Sequence, residues 1–250
     1  MSLDANDTAS PAELLRRQEG RATILTLNRP AKANALSASL VESLMSAVDT
    51  ALRDSTRLLV LEGNGKHFCA GFDFTDYEKQ SEGDLLLRFV RIEALLQRLF
   101  HAPIETLVLT QGRNFGAGAD LVAACQHRIA TPESTFRMPG LRFGLVLGTR
   151  RLAHRVGDGA ARELLAETKT FDADEALRLG FLTRLESPAN WPEIIADLAQ
   201  RAQVLSGGAA AALHQATTPD TRALDMAALA ESASTPGLRE RIRQFREAGR

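Results

Sequence analysis

Two strand-like segments followed by glycine constrain the fold of this chain most strongly. Residues 58–61, Leu-Leu-Val-Leu, are continuously apolar and precede Gly63, and a second strand is predicted at residues 104–109, before Gly112. Between them, apolar residues recur at helical spacing over residues 85–99. Unbroken apolar strands are typical of a parallel sheet buried on both faces, and a helix between two of them is the usual crossover. The sequence therefore predicts an α/β fold with a mostly parallel sheet.

The remaining chain continues this alternation and then becomes helical. Two short strands are predicted on either side of Gly20, and Ser37 is predicted to cap the helix that follows it. The two strands around Gly20 are expected at 14–18 and 23–27. Further strands are expected at 127–130 and 135–136, and helices at 160–166, 173–179 and 194–205, with two or three more helices after them. We divide the chain into a core of residues 1–190 and a helical C-terminal region of residues 191–250.

Net charge, apolar runs and cysteine count together argue against several classes of protein. The 250 residues carry a net charge of −1, so nothing in the charge favours nucleic acid or an anionic membrane as a partner. Met1–Pro11 is polar and lacks the apolar core of a secretory signal, and no apolar run reaches the ~20 residues of a membrane span. Cys69 and Cys125 are too few for a disulfide framework and are most simply small buried residues. We therefore expect a cytoplasmic protein.

Two glycine-containing segments carry the clearest functional signal. They are residues 66–73, Lys-His-Phe-Cys-Ala-Gly-Phe-Asp, and residues 112–121, Gly-Arg-Asn-Phe-Gly-Ala-Gly-Ala-Asp-Leu. Each is typical of a strand that ends in a tight turn with exposed backbone N–H groups. If the fold brings the turns together, two N–H groups can stabilise one negative oxygen of an enolate or a tetrahedral intermediate. Glycines that serve only tight turns and close packing are the alternative interpretation.

The order and spacing of these segments resemble the crotonase family, also called the enoyl-CoA hydratase/isomerase family. The resemblance extends from about Ala22 to Leu185 and more weakly to the end of the chain. The segments that carry it are 27–30, 34–36, 68–73, 112–121, 128–130, 136, 151–152, 156–157 and 175–180. The resemblance implies a spiral of ββα units, a helical C-terminal trimerisation region, and a homotrimer or a dimer of trimers. It also implies an acyl-CoA thioester as the ligand, with no metal and no cofactor beyond the coenzyme A of the substrate.

The resemblance assigns an oxyanion hole to the backbone N–H groups of Phe72 and Ala117. Family hydratases use two glutamates, and the first corresponds to Asp120, a carboxylate that is one methylene shorter. The second falls on Gly140, and a further carboxylate of some family isomerases falls near Gly148, so both are missing. Asp120 is therefore the catalytic candidate, although an aspartate in a first helical turn is often only a cap. A helix start favours its ionised form unless burial opposes this.

Candidate substrate contacts follow from the same resemblance. Arg29, Lys32 and Lys66 are candidates for the phosphates of coenzyme A, and charge is the only independent support for them. Phe245 corresponds to a family aromatic that approaches the adenine from a neighbouring subunit. The remaining candidates are backbone or turn positions around the ligand: Ala33, Ala70, Gly71, Gly116 and Gly140.

Four arginines lie in or next to the segment that contains Gly140 and Gly148: Arg137, Arg142, Arg150 and Arg151. They could bind a carboxylate on the acyl group, or they could form a solvated or interface cluster. The sequence therefore predicts an acyl-CoA-processing enzyme of the hydratase/isomerase type in which efficient hydration is doubtful. A diacid-CoA decarboxylase, a thioester hydrolase and a non-catalytic acyl-CoA-binding protein remain as alternatives.

Overall fold

The computed structural model describes residues 12–248, and within them strands and helices alternate as predicted. The strands are β1 (Leu14–Glu19), β2 (Ala22–Leu27), β3 (Leu58–Gly63), β4 (Glu105–Thr110), β5 (Arg113–Phe115), β6 (His127–Ala130), β7 (Thr135–Arg137), β8 (Phe171–Asp172) and β9 (Arg184–Leu185). The helices are α1 (Ala38–Arg53), α2 (Glu82–Phe100), α3 (Ala117–Ala124), α4 (Thr149–Val156), α5 (Asp158–Ala166), α6 (Ala173–Arg178), α7 (Trp191–Arg201), α8 (Gly207–Thr217), α9 (Arg222–Ser234) and α10 (Leu238–Ala248).

Two sheets form the core of the α/β fold. The larger has the strand order β1-β2-β3-β4-β6-β9, and only its β1–β2 pair is antiparallel. The smaller has the order β5-β7-β8, with β5 and β7 parallel and β8 antiparallel to β7. The prediction of a mostly parallel sheet with crossover helices is therefore confirmed.

Side chains of the central strands alternate between two apolar layers, as the period of two in a strand requires. Ile24, Val60 and Leu107 lie on one face, where α7 covers them with Ile194, Ile195 and Leu198. Leu25, Leu61 and Val108 lie on the other face and pack in the large cluster formed with α1, α2 and α3. Both faces of the sheet are covered, which is why residues 58–61 of β3 are continuously apolar.

Helix starts follow the capping residues seen in the sequence. Ser37 Oγ accepts a hydrogen bond from the N–H of Leu40, so the predicted cap of α1 is confirmed. At α2, Ser81 and Asp84 form a reciprocal capping box. The long α2 is thereby fixed at its start, and its apolar side reaches the cavity described below.

The chain from Trp191 to Ala248 is helical, as predicted, and it packs against the core at several places. α7 lies on the large sheet, α9 packs along α2, and α10 packs against α2 and residues 140–143. No helix within residues 12–248 has the length and apolar character needed to cross a bilayer.

Candidate active site

The two glycine turns meet in the structure. Gly71 has φ +90°, and a Cβ placed on it would lie 2.4 Å from the Phe115 carbonyl oxygen and 3.2 Å from the Ala117 nitrogen. A side chain at this position would therefore push the second turn away, since real Cβ atoms do not approach that closely. The contact brings the backbone of Phe72 next to the start of α3, where Ala117 is the first helical residue.

The N–H groups of Phe72 and Ala117 both belong to residues that line one cavity. Neither N–H donates to a backbone acceptor among the hydrogen bonds found in residues 12–248. For Ala117 the reason is its position, because the first N–H groups of a helix have no intrahelical partner. The positive end of the α3 dipole adds to the attraction of these donors for a negative oxygen.

The cavity has a volume of about 200 Å³ and a mostly apolar wall. Helix α2 contributes Phe89, and the loop between β7 and α4 contributes Phe143 and Leu145. Its polar side chains are Asp120, Arg137 and Thr149; the other lining residues are Ala70, Phe72, Phe74, Phe115, Gly116, Ala117, Met138, Pro139, Gly140, Leu141, Leu147, Leu165 and Phe245. A wall of this kind suits an apolar group of a ligand, and its polar side chains are confined to three positions.

Asp120 lies one turn into α3 and is only 3 % exposed. Its Oδ1 atom has no hydrogen-bond partner in the described part of the chain. Burial raises the pKa of this carboxyl to about 8; the Arg151 charge acts in the opposite direction and the Glu93 carboxylate adds to the increase. The effect of desolvation on the Asp120 pKa thus outweighs that of the α3 N-terminus, which favours the carboxylate. The carboxyl is therefore mainly protonated at pH 7.

The two positions at which the family resemblance places further carboxylates differ in the space they leave. A Cβ on Gly140 would meet the Leu145 carbonyl oxygen at 3.0 Å, so a small shift could accommodate a side chain. Gly148 has φ +67°, and a Cβ there would lie 1.6 Å from Asp120 Oδ1. Asp120 therefore occupies the space that a side chain at position 148 would need.

The four arginines do not form one cluster. Arg151 is buried and pairs with Glu93 at 2.5 Å and with Asp225 at 3.5 Å, which links α4 to α2 and α9. Arg150 also pairs with Asp225, at 3.1 Å, and Arg142 is exposed. Arg137 alone of the four lines the cavity. The interpretation of all four as one carboxylate-binding or surface cluster is wrong, because they separate into different environments.

Arg137 is held by a backbone contact. Its Nε donates to the carbonyl oxygen of Thr168 at 3.1 Å. Thr168 itself has φ +53°, an unusual conformation for a β-branched residue. The guanidinium is thus fixed at one edge while the side chain remains half-buried on the cavity wall.

The structure gives Arg29 partners other than a phosphate. Its Nε lies 2.6 Å from a Glu13 oxygen and its Nη2 lies 2.8 Å from an Asp73 oxygen, so two carboxylates already balance its charge. Lys32 and Lys66 are exposed and remain predicted phosphate contacts. Asp73 also accepts a hydrogen bond from the Thr75 N–H, as expected of a residue that caps the turn.

The other predicted contact positions lie around the cavity mouth. The Ala70 N–H donates to the Ala33 carbonyl oxygen at 2.9 Å, which places these two residues side by side, and Ala70 lines the cavity. The Gly116 N–H is used by the Arg137 carbonyl oxygen at 2.7 Å. Gly140 is part of the wall.

Phe245 lines the cavity of its own chain. Its ring lies 5.1 Å from the ring of Phe143, centroid to centroid, and both face the cavity. The approach of Phe245 to the adenine of a neighbouring subunit, which the resemblance implies, stays a prediction.

Sequence reasoning missed Thr149 and the contact between Gly148 and Asp120. Thr149 is the first residue of α4, and its Oγ1 is buried on the cavity wall with no hydrogen-bond partner in residues 12–248. The available signal was a threonine directly after a glycine at a helix start, which is too common to single out. Within the described residues no group of three or more His, Cys, Asp or Glu side chains is placed to bind a metal ion.

Comparison with known proteins identifies the family. A model of the Enoyl-CoA hydratase/isomerase family matches residues 17–244. "Probable enoyl-CoA hydratase echA6" of Mycobacterium bovis is 33% identical over 183 residues, 70% of this chain and 72% of that protein. Ethylmalonyl-CoA decarboxylase of Mus musculus is 33% identical over 186 residues, 71% of this chain but 56% of that protein.

Solved structures agree with this match. A Bordetella parapertussis protein described as an enoyl-CoA hydratase/isomerase superimposes on this chain with a TM-score of 0.92 and is 53% identical to it. The match covers 93% of this chain and 98% of that one. Enoyl-CoA hydratase of Bacillus halodurans, at 22% identity, shares the fold with a TM-score of 0.82. Because the family match covers most of the chain, the protein belongs to the enoyl-CoA hydratase/isomerase, or crotonase, family.

Proposed function

We propose that this protein is an enzyme that binds an acyl-CoA and stabilises the enolate of its thioester. The proposal is supported by the close approach of the Gly71 turn to Ala117 and by the presence of Phe72, Ala117 and Asp120 on the wall of one apolar cavity. The thioester oxygen would accept from both N–H groups, and its charge would grow as the enolate forms. Donors that are already in place when charge develops lower the barrier without further reorganisation.

Asp120 is the group that moves the proton in this proposal. With a pKa of about 8 it is mainly protonated at neutral pH. In this form it can deliver a proton to the carbon next to the thioester. The Asp120 carboxylate that remains is stabilised by the positive charge of Arg151. A general acid works best when its pKa lies near the working pH, and Asp120 meets that condition.

Hydration is expected to be slow because a second carboxylate is missing. Addition of water needs one group that orients and deprotonates the water and another that protonates carbon. Gly140 and Gly148 supply neither. Isomerisation, decarboxylation and thioester hydrolysis use the same oxyanion hole and remain open as the physiological reaction.

The first test is hydration of crotonyl-CoA, followed as loss of the conjugated thioester absorbance, in the wild type and in Asp120→Ala. Acetyl-CoA binding is measured beside it by calorimetry. Binding with slow or no hydration is the expected result, and rapid turnover that Asp120→Ala abolishes would show that one aspartate suffices for hydration. If neither acyl-CoA binds, the proposal is wrong; if Asp120→Ala retains binding and all cellular function, the protein is a non-catalytic binder.

Decarboxylation is the second candidate, and Arg137 is the observation that favours it. Arg137 places a cation on an otherwise apolar wall, where it can bind a carboxylate of a diacid-CoA. The bond between the carboxylate carbon and the α-carbon would break, CO₂ would leave, and its electron pair would form the enolate. Protonated Asp120 would then donate its proton to the α-carbon. The name of the mouse relative gives the same reaction class for that protein.

This second candidate is tested by incubation with ethylmalonyl-CoA and measurement of CO₂ release. Arg137→Gln removes the charge but keeps a similar length, and Arg142→Gln is the matched control at an exposed position outside the cavity. We expect Arg137→Gln to weaken diacid-CoA binding about tenfold or more and to leave butyryl-CoA binding unchanged. Equal binding of both ligands by the wild type and both variants would refute a role for Arg137.

We also propose a cytoplasmic protein that assembles as a homotrimer or a dimer of trimers. Exposed apolar side chains in the C-terminal helical region support assembly, since Val204 is 81%, Leu213 56% and Leu224 59% exposed in the single chain. Cys69 and Cys125 are free and buried, which fits a reducing compartment. Light scattering after size-exclusion chromatography measures the assembly, and a monomer would refute it.

A further inference from the structure

Two polar atoms on the cavity wall share an unusual state. Asp120 Oδ1 and Thr149 Oγ1 are both buried, and neither has a hydrogen-bond partner within residues 12–248. Buried polar atoms normally have partners because desolvation without a hydrogen bond costs free energy. Both residues line the same cavity, so a polar atom of a bound molecule can supply the partner.

The contact between Asp120 and Gly148 brings the two residues that carry these atoms to one cavity. Asp120 Oδ1 packs so closely on Gly148 that a Cβ there would lie 1.6 Å from it, and Thr149 is the next residue. The positive φ of Gly148 directs the chain into α4, so that Thr149 follows the contact immediately. One carboxyl and one hydroxyl therefore stand at one end of an apolar wall, on α3 and α4.

We infer that Thr149 is a second polar contact of the site, and that its hydroxyl and the Asp120 carboxyl together bind one hydroxyl oxygen of the acyl group. A neutral carboxyl donates one hydrogen bond, and a threonine hydroxyl can donate or accept. The pair can thus satisfy both the lone pair and the proton of a ligand hydroxyl. This inference rests on the proposed function, since it assumes that the cavity holds an acyl-CoA.

The pair also explains how the site works with a glycine at position 140. Gly140 offers no side chain to the cavity, whereas Thr149 offers a hydroxyl from the neighbouring helix. A hydroxyl orients a bound oxygen but is a weak base, so it positions a ligand without taking its proton at neutral pH. Thr149 is therefore a specificity-determining contact, and the proton transfer stays with Asp120.

The test compares binding of 3-hydroxybutyryl-CoA and butyryl-CoA by calorimetry. Thr149→Val removes the hydroxyl at nearly constant shape, and Thr149→Ser keeps it. Thr168→Val is the matched control, because its hydroxyl is also buried without a partner but lies outside the cavity wall. A neutral hydrogen bond corresponds to roughly 3- to 10-fold in affinity.

We expect the wild type, Thr149→Ser and Thr168→Val to prefer the hydroxylated ligand by roughly that factor. Thr149→Val should lose the preference while butyryl-CoA binds unchanged. If Thr149→Val keeps the wild-type ratio, or if the wild type shows no preference although both ligands bind, the assignment of Thr149 is wrong. If the wild type binds neither ligand, the proposed function itself is wrong.

Discussion

The protonated state of Asp120 has a measurable effect on the stability of the whole protein. The unfolded chain releases this proton near the ordinary pKa of 3.8, whereas the folded chain holds it up to about 8. Between these values the unfolded state binds fewer protons, so the free energy of unfolding decreases as the pH rises. The decrease begins near pH 4 and ends near pH 8.

The size of the effect follows from the two pKa values. Each pH unit between them removes about 1.4 kcal/mol, so Asp120 costs the folded state about 4 kcal/mol at pH 7. Asp120→Asn keeps the size of the side chain but cannot ionise. Its stability relative to the wild type should therefore increase by about 3 kcal/mol between pH 5 and pH 7.

Urea denaturation of both proteins at pH 5, 6, 7 and 8 and at one protein concentration measures this difference. Asp73→Asn is the matched control. Burial raises the pKa of Asp73, but hydrogen bonds from Thr75 and the Arg29 guanidinium lower it overall. The stability that Asp73 contributes is complete above its unfolded pKa and is lost as the pH falls through its folded pKa, so Asp73→Asn should be less stable by a constant amount from pH 5 to pH 7.

A constant difference between Asp120→Asn and the wild type over this range would refute the reasoning, because it would mean that Asp120 ionises in the folded state near its ordinary pKa. A carboxylate that a partner stabilises would give the same constant difference, because its folded pKa would lie below the pH range measured. A constant difference would also remove Asp120 as an acid at neutral pH and leave it only as a base.

Three further substitutions test the geometry of the site. Ala117→Pro removes one N–H at a first helical position where proline is tolerated, so kcat should fall about 10²- to 10³-fold with little change in Tm, while Ala117→Gly retains activity. Gly148→Ala places a Cβ 1.6 Å from Asp120 Oδ1; Tm and activity should both fall, and Asp120→Gly should restore part of the Tm in the double variant. The Cβ of Gly140→Glu would lie 3.0 Å from the Leu145 carbonyl oxygen, a contact that a small shift relieves. This substitution should raise crotonyl-CoA hydration at least tenfold, while Gly140→Gln should not. Unchanged hydration would show that a missing carboxylate does not limit this reaction.

Local sequence patterns were sufficient to predict the elements that build the site. The apolar run before Gly63 lies in β3, the strand predicted at residues 104–109 overlaps β4, and α3 begins at Ala117, so that Asp120 stands in a first helical turn as expected. These predictions succeed because strand burial, helix period and capping depend on residues close in the chain. The placement of Phe72, Ala117 and Asp120 on one cavity followed from the family resemblance, and the structure brings the three together.

Long-range contacts determined what the sequence could not show. The pairing of Arg29 with Glu13 and Asp73, and the burial of Arg151, depend on segments that meet only in the folded chain. The protonation state of Asp120 also could not be predicted from the sequence. Burial by residues distant in the chain raises its pKa, whereas the local helix start favours the carboxylate. Charge patterns along a sequence do not distinguish a solvated arginine from one paired inside the core.

The buried contacts of Arg151 make the proton at Asp120 depend on the completeness of folding. Arg151 is balanced by Glu93 on α2 and by Asp225 on α9, near the end of the chain. If α9 detached, Asp225 would leave and the positive potential at Asp120 would increase, which favours loss of its proton. The C-terminal helices thus bear on the chemistry of the site through a charge pair at Arg151, and not only by covering the core.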